Sequence, residues 1–528
     1  MTHTLRTLAL GCSALALAAC GADDIASPGT GGNIIINNPP APAPTPTPTP
    51  PPTTGVTPAA ACPTISGGAL RDGATITGPT GTYRVCTLPA RFTASATLPY
   101  VRGVLYEMNG RVDVGNDGGP TPDDSDGASD TNAVLTIEPG VVLYGAGASF
   151  LLVNRGSRIN AVGTVERPIV FTSRDNVTGL NAGREAASGQ WGGVVLAGRA
   201  PITDCGAPAA TPGSIGCVRQ VEGEAQPALY GGATNNDNSG TMRYVQIRYS
   251  GFVLSGDNEL QALTTGGTGT GTQFSHIQSF NSSDDGVEFF GGFVNMKYLA
   301  VIGSEDDSID TDVGVRANLQ YVVAVQRQGA GDAIIEADST NALVENRPRQ
   351  LTQISNATFI HRAPGGSAVV RLRGGTDYAI ANSVIFSQAN VACLRIDDAE
   401  TIRGADASLD ERGPPVFQSV VLDCTTPFRN GSGGPTAADA QSIFNAGSNN
   451  RTPFQNTLTM TFVNGANESG VPAFNATQLS SFFDNVPFIG AVRNAQDTSF
   501  QGWTCNSATV DFGTSNTGRC DSLPVYPA

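Results

Sequence analysis

The sequence predicts an all-β fold, a right-handed parallel β-helix (a solenoid) with a cap at each end. Three observations predict it. From about residue 130 the chain is built of short runs rich in Val, Ile, Thr and Asn, separated by Gly and Asp, which is strand and turn chemistry. The runs repeat: Phe274-Ser275-His276-Ile277, Met296-Lys297-Tyr298-Leu299 and Leu319-Gln320-Tyr321-Val322 share one pattern, with starts 22 and 23 residues apart. A period in the low twenties with no helical periodicity is the mark of a solenoid whose turns stack strand on strand.

The elements follow in order. Residues 1–19 carry Arg6 and a short apolar run that ends at Leu17-Ala18-Ala19. This is the pattern of an export signal, and the run is too short to span a bilayer. With Cys20 it resembles a bacterial lipoprotein signal, which implies that Cys20 is the lipidated first residue of the mature chain. Residues 20–61 form a tether centred on the Pro-rich stretch from Pro39 to Pro52. Such a stretch favours polyproline II, and at roughly 3.1 Å per residue the whole tether reaches on the order of 100 Å. Residues 62–129 are expected to be the N-terminal cap, 130–428 the β-helix and 429–528 the C-terminal cap. About a dozen turns make a body roughly 60 Å long. Short helical runs, such as Ala476 to Asp484, are expected in the C-terminal cap.

The formal net charge of −16 argues against nucleic acid and anionic membrane surfaces as partners. Contact with a membrane is expected through the lipid alone, on the outer membrane, with the body at the cell surface or released; a periplasmic orientation is the alternative. Of ten cysteines, Cys12 leaves with the signal and Cys20 takes lipid. The other eight form neighbouring pairs: Cys62/Cys86, Cys205/Cys217, Cys393/Cys424 and Cys505/Cys520. An even number in an exported chain predicts disulfides.

Aligning the turns brings out an acidic pattern. Asp284-Asp285-Gly286-Val287-Glu288, Asp306-Asp307-Ser308-Ile309-Asp310 and Asp332-Ala333-Ile334-Ile335-Glu336 each place a carboxylate four residues after an Asp. Stacked turns put Glu288, Asp310 and Glu336 in one column and Asp284, Asp306 and Asp332 in another. Like charges on neighbouring strands are destabilising. The columns therefore call for a bound cation, arginine partners or full exposure on a solvated face. Ca²⁺ is the cation such oxygens would take, and Arg371 and Arg395 lie near the extension of the first column.

Two resemblances bear on function. Asn281…Asp284-Asp285-Gly286 followed by Asp306-Asp307-Ser308-Ile309 is similar to the Asn-Thr-Asp and Asp-Asp elements of polygalacturonases, and Arg371-Leu372-Arg373 to their Arg-Ile-Lys element. That implies Asp285, Asp306 and Asp307 as acid and base in glycoside hydrolysis. Where that family carries Gly-His-Gly, this chain has Gly329-Ala330-Gly331. More of the chain is covered by a second likeness. It rests on Gly189-Gln190-Trp191-Gly192-Gly193-Val194-Val195-Leu196-Ala197-Gly198-Arg199-Ala200-Pro201-Ile202, on Asp284 to Gly292 and on Phe488-Ile489-Gly490-Ala491-Val492. These resemble secreted or surface β-helix lipoproteins of Gram-negative bacteria. The likeness implies fold and location, with no reaction attached.

The function expected is therefore a non-catalytic, lipid-anchored rod that binds a glycan, a surface component or an envelope protein. The alternatives are a polysaccharide lyase or hydrolase using the acidic face, and a nutrient-capture partner of an outer-membrane transporter. Among single residues, His276 aligns with Tyr298 and Tyr321 and is expected to stack with them. His361 is expected at the surface, and Asn356 and Asn382 are expected to form an internal ladder. The acidic stretch Asp113 to Asp130 lacks the EF-hand's first Asp and closing Glu, and reads as a solvated loop.

Overall fold

The computed structural model describes residues 55–222, 226–255, 258–339 and 343–526. The expected signal segment, the lipidated Cys20 and the Pro-rich core of the tether lie outside the described residues. Two parallel sheets run the length of the body, one of 15 strands and one of 11. They face each other across a single apolar interior, and each turn of chain adds one rung to both. The protein is an all-β parallel β-helix.

Strand alternation explains the interior. In Val287–Phe290, Val287 and Phe289 point inward, as do Ile309 in Ile309–Asp312, and Ile335 and Ala337 in Ile335–Ala337. Opposite them stand Ile277, Leu299, Leu319 and Ile354 of the long-strand sheet. Each fully buried Leu, Ile, Val or Phe contributes about 1.5–3 kcal/mol of transfer free energy.

The long strands bend at one aligned position. Tyr244, His276, Tyr298, Tyr321, Asn356, Asn382 and Ser419 all have φ between 49° and 62°. Left-handed backbone is costly for residues with a side chain, and the rungs on either side hold it in place. His276 stacks with Tyr298 and Tyr321 as expected, and Tyr244 extends the row, with ring centroids 4.3 to 4.8 Å apart.

Parallel pairing begins well before residue 130. Gly81–Thr87 pairs with Val104–Glu107, and Arg91–Phe92 with Val112–Val114. Val56 bridges to Gly81 and is buried. The stretch expected as an N-terminal cap thus already contains rungs. Its shorter strands and interrupting loops hide the period. What covers the first edge is the antiparallel strand Arg71–Gly78 on Gly81–Thr87.

At the other end the helix Ala437–Asn445 closes the last rung. Its start is fixed by reciprocal bonds between Thr436 and Asp439, and Phe444 is buried against Phe417 and Phe428. Only a 3-10 turn, Ala476–Gln478, forms where a longer helical run was expected. The remaining chain does not stay at the end. It turns back along the outer face of the long-strand sheet as a strap. Outward amides hold it: Gln320 with the backbone of Asp484, Gln278 with Cys505 and Asn382 with Phe474. Asn356 likewise donates to the Phe488 carbonyl at 2.8 Å. The asparagine ladder expected inside is therefore outside, where each amide mimics a neighbouring strand.

Four disulfides join Cys62–Cys86, Cys205–Cys217, Cys393–Cys424 and Cys505–Cys520. Cys505–Cys520 lies in the strap, and Cys205–Cys217 in a covering segment described next.

Candidate functional site

Outward residues of the short-strand sheet form one column through the molecule. Its register runs Thr264, Glu288, Asp310, Glu336, Arg371, Arg395 and Arg429 on successive rungs. The expected acidic column is present in the register read from the repeats, and Arg371 and Arg395 continue it. Two residues further along, Asp312, Asp338 and Arg373 follow the same succession of acid to base.

The column is not a solvated face. Glu288 and Asp310 are 3 % exposed and Glu336 2 %. The cover is the insertion from about Arg199 to Asn238, between the rung strands Val194–Ala197 and Gly240–Arg248. Its Ile202, Cys217, Val221 and Tyr230 pack on Leu152, Val195 and Phe290 of the sheet. Two glycines allow this approach. A Cβ on Gly266 would lie 2.5 Å from the Tyr230 ring, and one on Gly291 (φ 63°) would lie 2.6 Å from Ile202. The hairpin Arg219–Gln220 with Leu229–Tyr230 carries Glu222 to the acidic column. Arg219 pairs with Asp204 beside Asp312.

The second expected column forms a rim. Asp284, Asp306 and Asp332 are half-buried, and Asp285 and Asp307 link rim to floor. Carboxylate oxygens converge within 4.8 Å in four overlapping sets: Asp284, Asp285 and Asp306; Asp306, Asp307 and Asp332; Asp285, Glu288 and Asp310; Asp307, Asp310 and Glu336. Parts of these oxygens serve the backbone. Asp285 accepts from the Asp307 N–H at 2.9 Å and Asp307 from the Ala333 N–H at 2.5 Å. Asp332 accepts from the Ser367 N–H at 2.7 Å, and Asp284 from the Gln261 amide at 3.1 Å.

At the Glu336 end the charge is matched. Arg371 reaches Glu336 at 2.6 Å and Asp397 at 2.8 Å, while Arg373 reaches Glu336 at 3.1 Å and Asp338 at 2.9 Å. At the Glu288 end it is not. Among the described residues, Asp310 Oδ1 and Asp312 Oδ2 are buried without a hydrogen-bond partner. Two carboxylates about 5 Å apart repel by about 3 kcal/mol at an effective dielectric constant near 20.

Burial, and then the neighbouring carboxylates, push Asp285, Glu288, Asp307, Asp310 and Asp312 well above the usual range. Burial raises Asp284 to about 6. Burial, then Asp284, raises Glu222 to about 7. These groups need protons or a cation. The sets Asp285–Glu288–Asp310 and Asp307–Asp310–Glu336, all buried, have the hard-oxygen chemistry that Ca²⁺ takes.

The repeats did not single out Asp312, Asp338 or Glu222. For the first two the signal was available: Ile309-Asp310-Thr311-Asp312 and Ile335-Glu336-Ala337-Asp338 alternate with period two, so both acids share a face. Glu222 comes from the insertion, outside any repeat. His361, expected at the surface, is fully buried and its Nε2 lies 2.8 Å from the Asp332 carbonyl. In the acidic stretch before residue 130, Asp126 accepts from the N–H groups of Thr121 and Ala128, which shapes the loop.

A family model described as a pectate-lyase like beta helix domain matches residues 127–456. No curated protein and no solved structure showed a significant match to the chain. The matched span takes in the acidic column, its arginine continuation and the covering insertion, and it exceeds half of the chain; the protein belongs to the pectate-lyase-like β-helix domain family.

Proposed function

We propose that the protein is a lipid-anchored, cation-braced β-helix that binds a glycan or an envelope component and does not degrade it. One observation carries this reading. Of the groups a lyase or hydrolase would use, Asp285 and Asp307 are buried and bonded to backbone N–H groups, and Arg371 is engaged with Glu336, while Asp306 stands half-buried at the rim. Asp285 is 5 % exposed and Asp307 2 %, which leaves a polymer chain little access to either. In this reading Ca²⁺ sits among Asp285, Glu288 and Asp310, and Arg371 and Arg373 balance Glu336 and Asp338. The site is then a brace. Cys20 and the Pro-rich tether hold the rod away from the outer membrane, with the body at the cell surface or released.

The family match and the step from Glu336 to Arg371 favour a second reading, a polysaccharide lyase or hydrolase that uses Asp285, Asp306 and Asp307. Assay of the purified chain on acidic and neutral polysaccharides, with Ca²⁺ or with EDTA, separates the two. The binding reading expects retention of a polysaccharide without release of reducing ends or unsaturated products. Turnover that disappears in Asp306→Ala would overturn it.

A further inference from the structure

The short-strand sheet carries a second polar feature four rungs before Glu288. In the outward column, Arg91 aligns with Asp113, Asp113 with Leu152 and Leu152 with Val195. Over the first two lies a groove of about 390 Å³, lined by Ala90, Arg91, Arg111, Asp113, Asp117 and Asn154 and walled by Gln226 and Pro227 of the insertion. This volume falls within the roughly 300–1,000 Å³ of small-molecule sites.

Its floor is built rather than incidental. Asp113 is 5 % exposed. It holds Arg91 at 3.1 Å, Arg111 at 2.8 Å and the Asn154 amide at 2.9 Å. Arg111 lies 5.9 Å from the Phe150 ring centroid. Asp117 is fixed by Arg155 at 2.6 Å, and the Arg155 side chain is itself buried. One buried carboxylate thus orients two guanidiniums, and a second carboxylate stands beside them. The side chain of Arg91 remains 42 % exposed and that of Asp117 27 % exposed.

We propose that this groove is a binding subsite for an uncharged saccharide. Planar, pre-oriented donors and acceptors match pairs of neighbouring hydroxyls, and Ala90 and Pro227 offer a small apolar surface to the C–H face of a sugar ring. Arginines and carboxylates balance within the groove. A chain of net charge −16 disfavours polyanions at long range. The assignment rests on the glycan-binding reading above and gives it a place on the molecule, remote from the sealed acidic column.

The test is calorimetric titration of the full-length chain, held in a detergent without sugar headgroups. The titrants are cellotetraose, xylotetraose, maltotetraose and mannotetraose, with trigalacturonate as the charged comparison. At least one neutral tetraose is expected to bind with Kd below about 1 mM. Ala90→Trp, which fills the groove without removing a polar group, is expected to weaken it at least tenfold at unchanged melting temperature, and Arg91→Ala at least tenfold with the fold retained. Binding that persists within twofold in both variants overturns the groove and leaves the glycan reading standing. Binding of no neutral tetraose overturns both. Tighter binding of trigalacturonate than of every neutral tetraose overturns the assignment to an uncharged ligand.

Discussion

Arg371 stands on the rung after Glu336, at the same outward position, and its Nη1 donates to Glu336 Oε1 at 2.6 Å. The outer column changes sign at this step. Below it, arginines and acids balance pair by pair; above it, Asp310 and Glu288 face each other without an ion-pair partner among the described residues.

Removing Arg371 leaves Glu336 and Asp397 buried with part of their compensation gone. Arg371→Ala is expected to cost about 3–5 kcal/mol, measured as a lower denaturant midpoint. Adding Glu336→Gln to that variant is expected to recover part of the loss, because the two side chains are directly coupled. Equal, additive losses would show that the pair does not act as a unit.

Asp310→Asn keeps the side chain's shape and removes its charge. In EDTA the variant is expected to unfold at a higher denaturant concentration than the unsubstituted protein. The gain is about 1–3 kcal/mol, the scale of one like-charge repulsion in a partly relaxed site. Its stability is expected not to respond to Ca²⁺.

The strap makes a separate prediction. Gln320 both donates to the Asp484 carbonyl at 3.0 Å and accepts from the Asp484 N–H at 2.8 Å. Gln320→Ala is expected to cost about 1–3 kcal/mol. Amide exchange should quicken around Asp484 while the rungs stay protected.

His276 is pushed down to about 4, by burial first and by Arg243 second. Its folded value lies below the unfolded value near 6.5. The unfolded chain therefore binds the extra proton across this window, and the contribution of His276 is lost as pH falls from about 6.5 to 4. Allowing for partial exposure, the loss is about 1–2 kcal/mol. His276→Tyr, which extends the tyrosine stack, is expected to gain on the unsubstituted protein by that amount between pH 7 and pH 4. A pH-independent difference would contradict the assignment.

The repeat made much of this legible. Rungs mostly 22 to 26 residues apart, with longer steps of 32 from Tyr244 to His276 and 35 from Glu336 to Arg371, fix register, so the column from Glu288 to Arg395 and the stack from Tyr244 to Tyr321 could be read from aligned residues. Burial could not be read, because it depends on an insertion that belongs to no repeat. A column of acids looks the same in sequence whether water or Tyr230 and Glu222 lie above it. Asn356 and Asn382 aligned correctly but on the wrong side, since the left-handed bend turns their side chains outward. Their partners, Phe488 and Phe474, lie 132 and 92 residues away in a segment without periodicity.

The central claim is that the sealed acidic column is a cation-braced structural element. The most direct measurement is the melting temperature of the full-length chain with Ca²⁺ and with EDTA, alongside Asp310→Asn. A cation held at about 100 times its Kd adds about 2.7 kcal/mol. The account predicts a rise of several degrees with Ca²⁺ in the unsubstituted protein and none in Asp310→Asn. Identical melting of the unsubstituted protein in Ca²⁺ and in EDTA would contradict it.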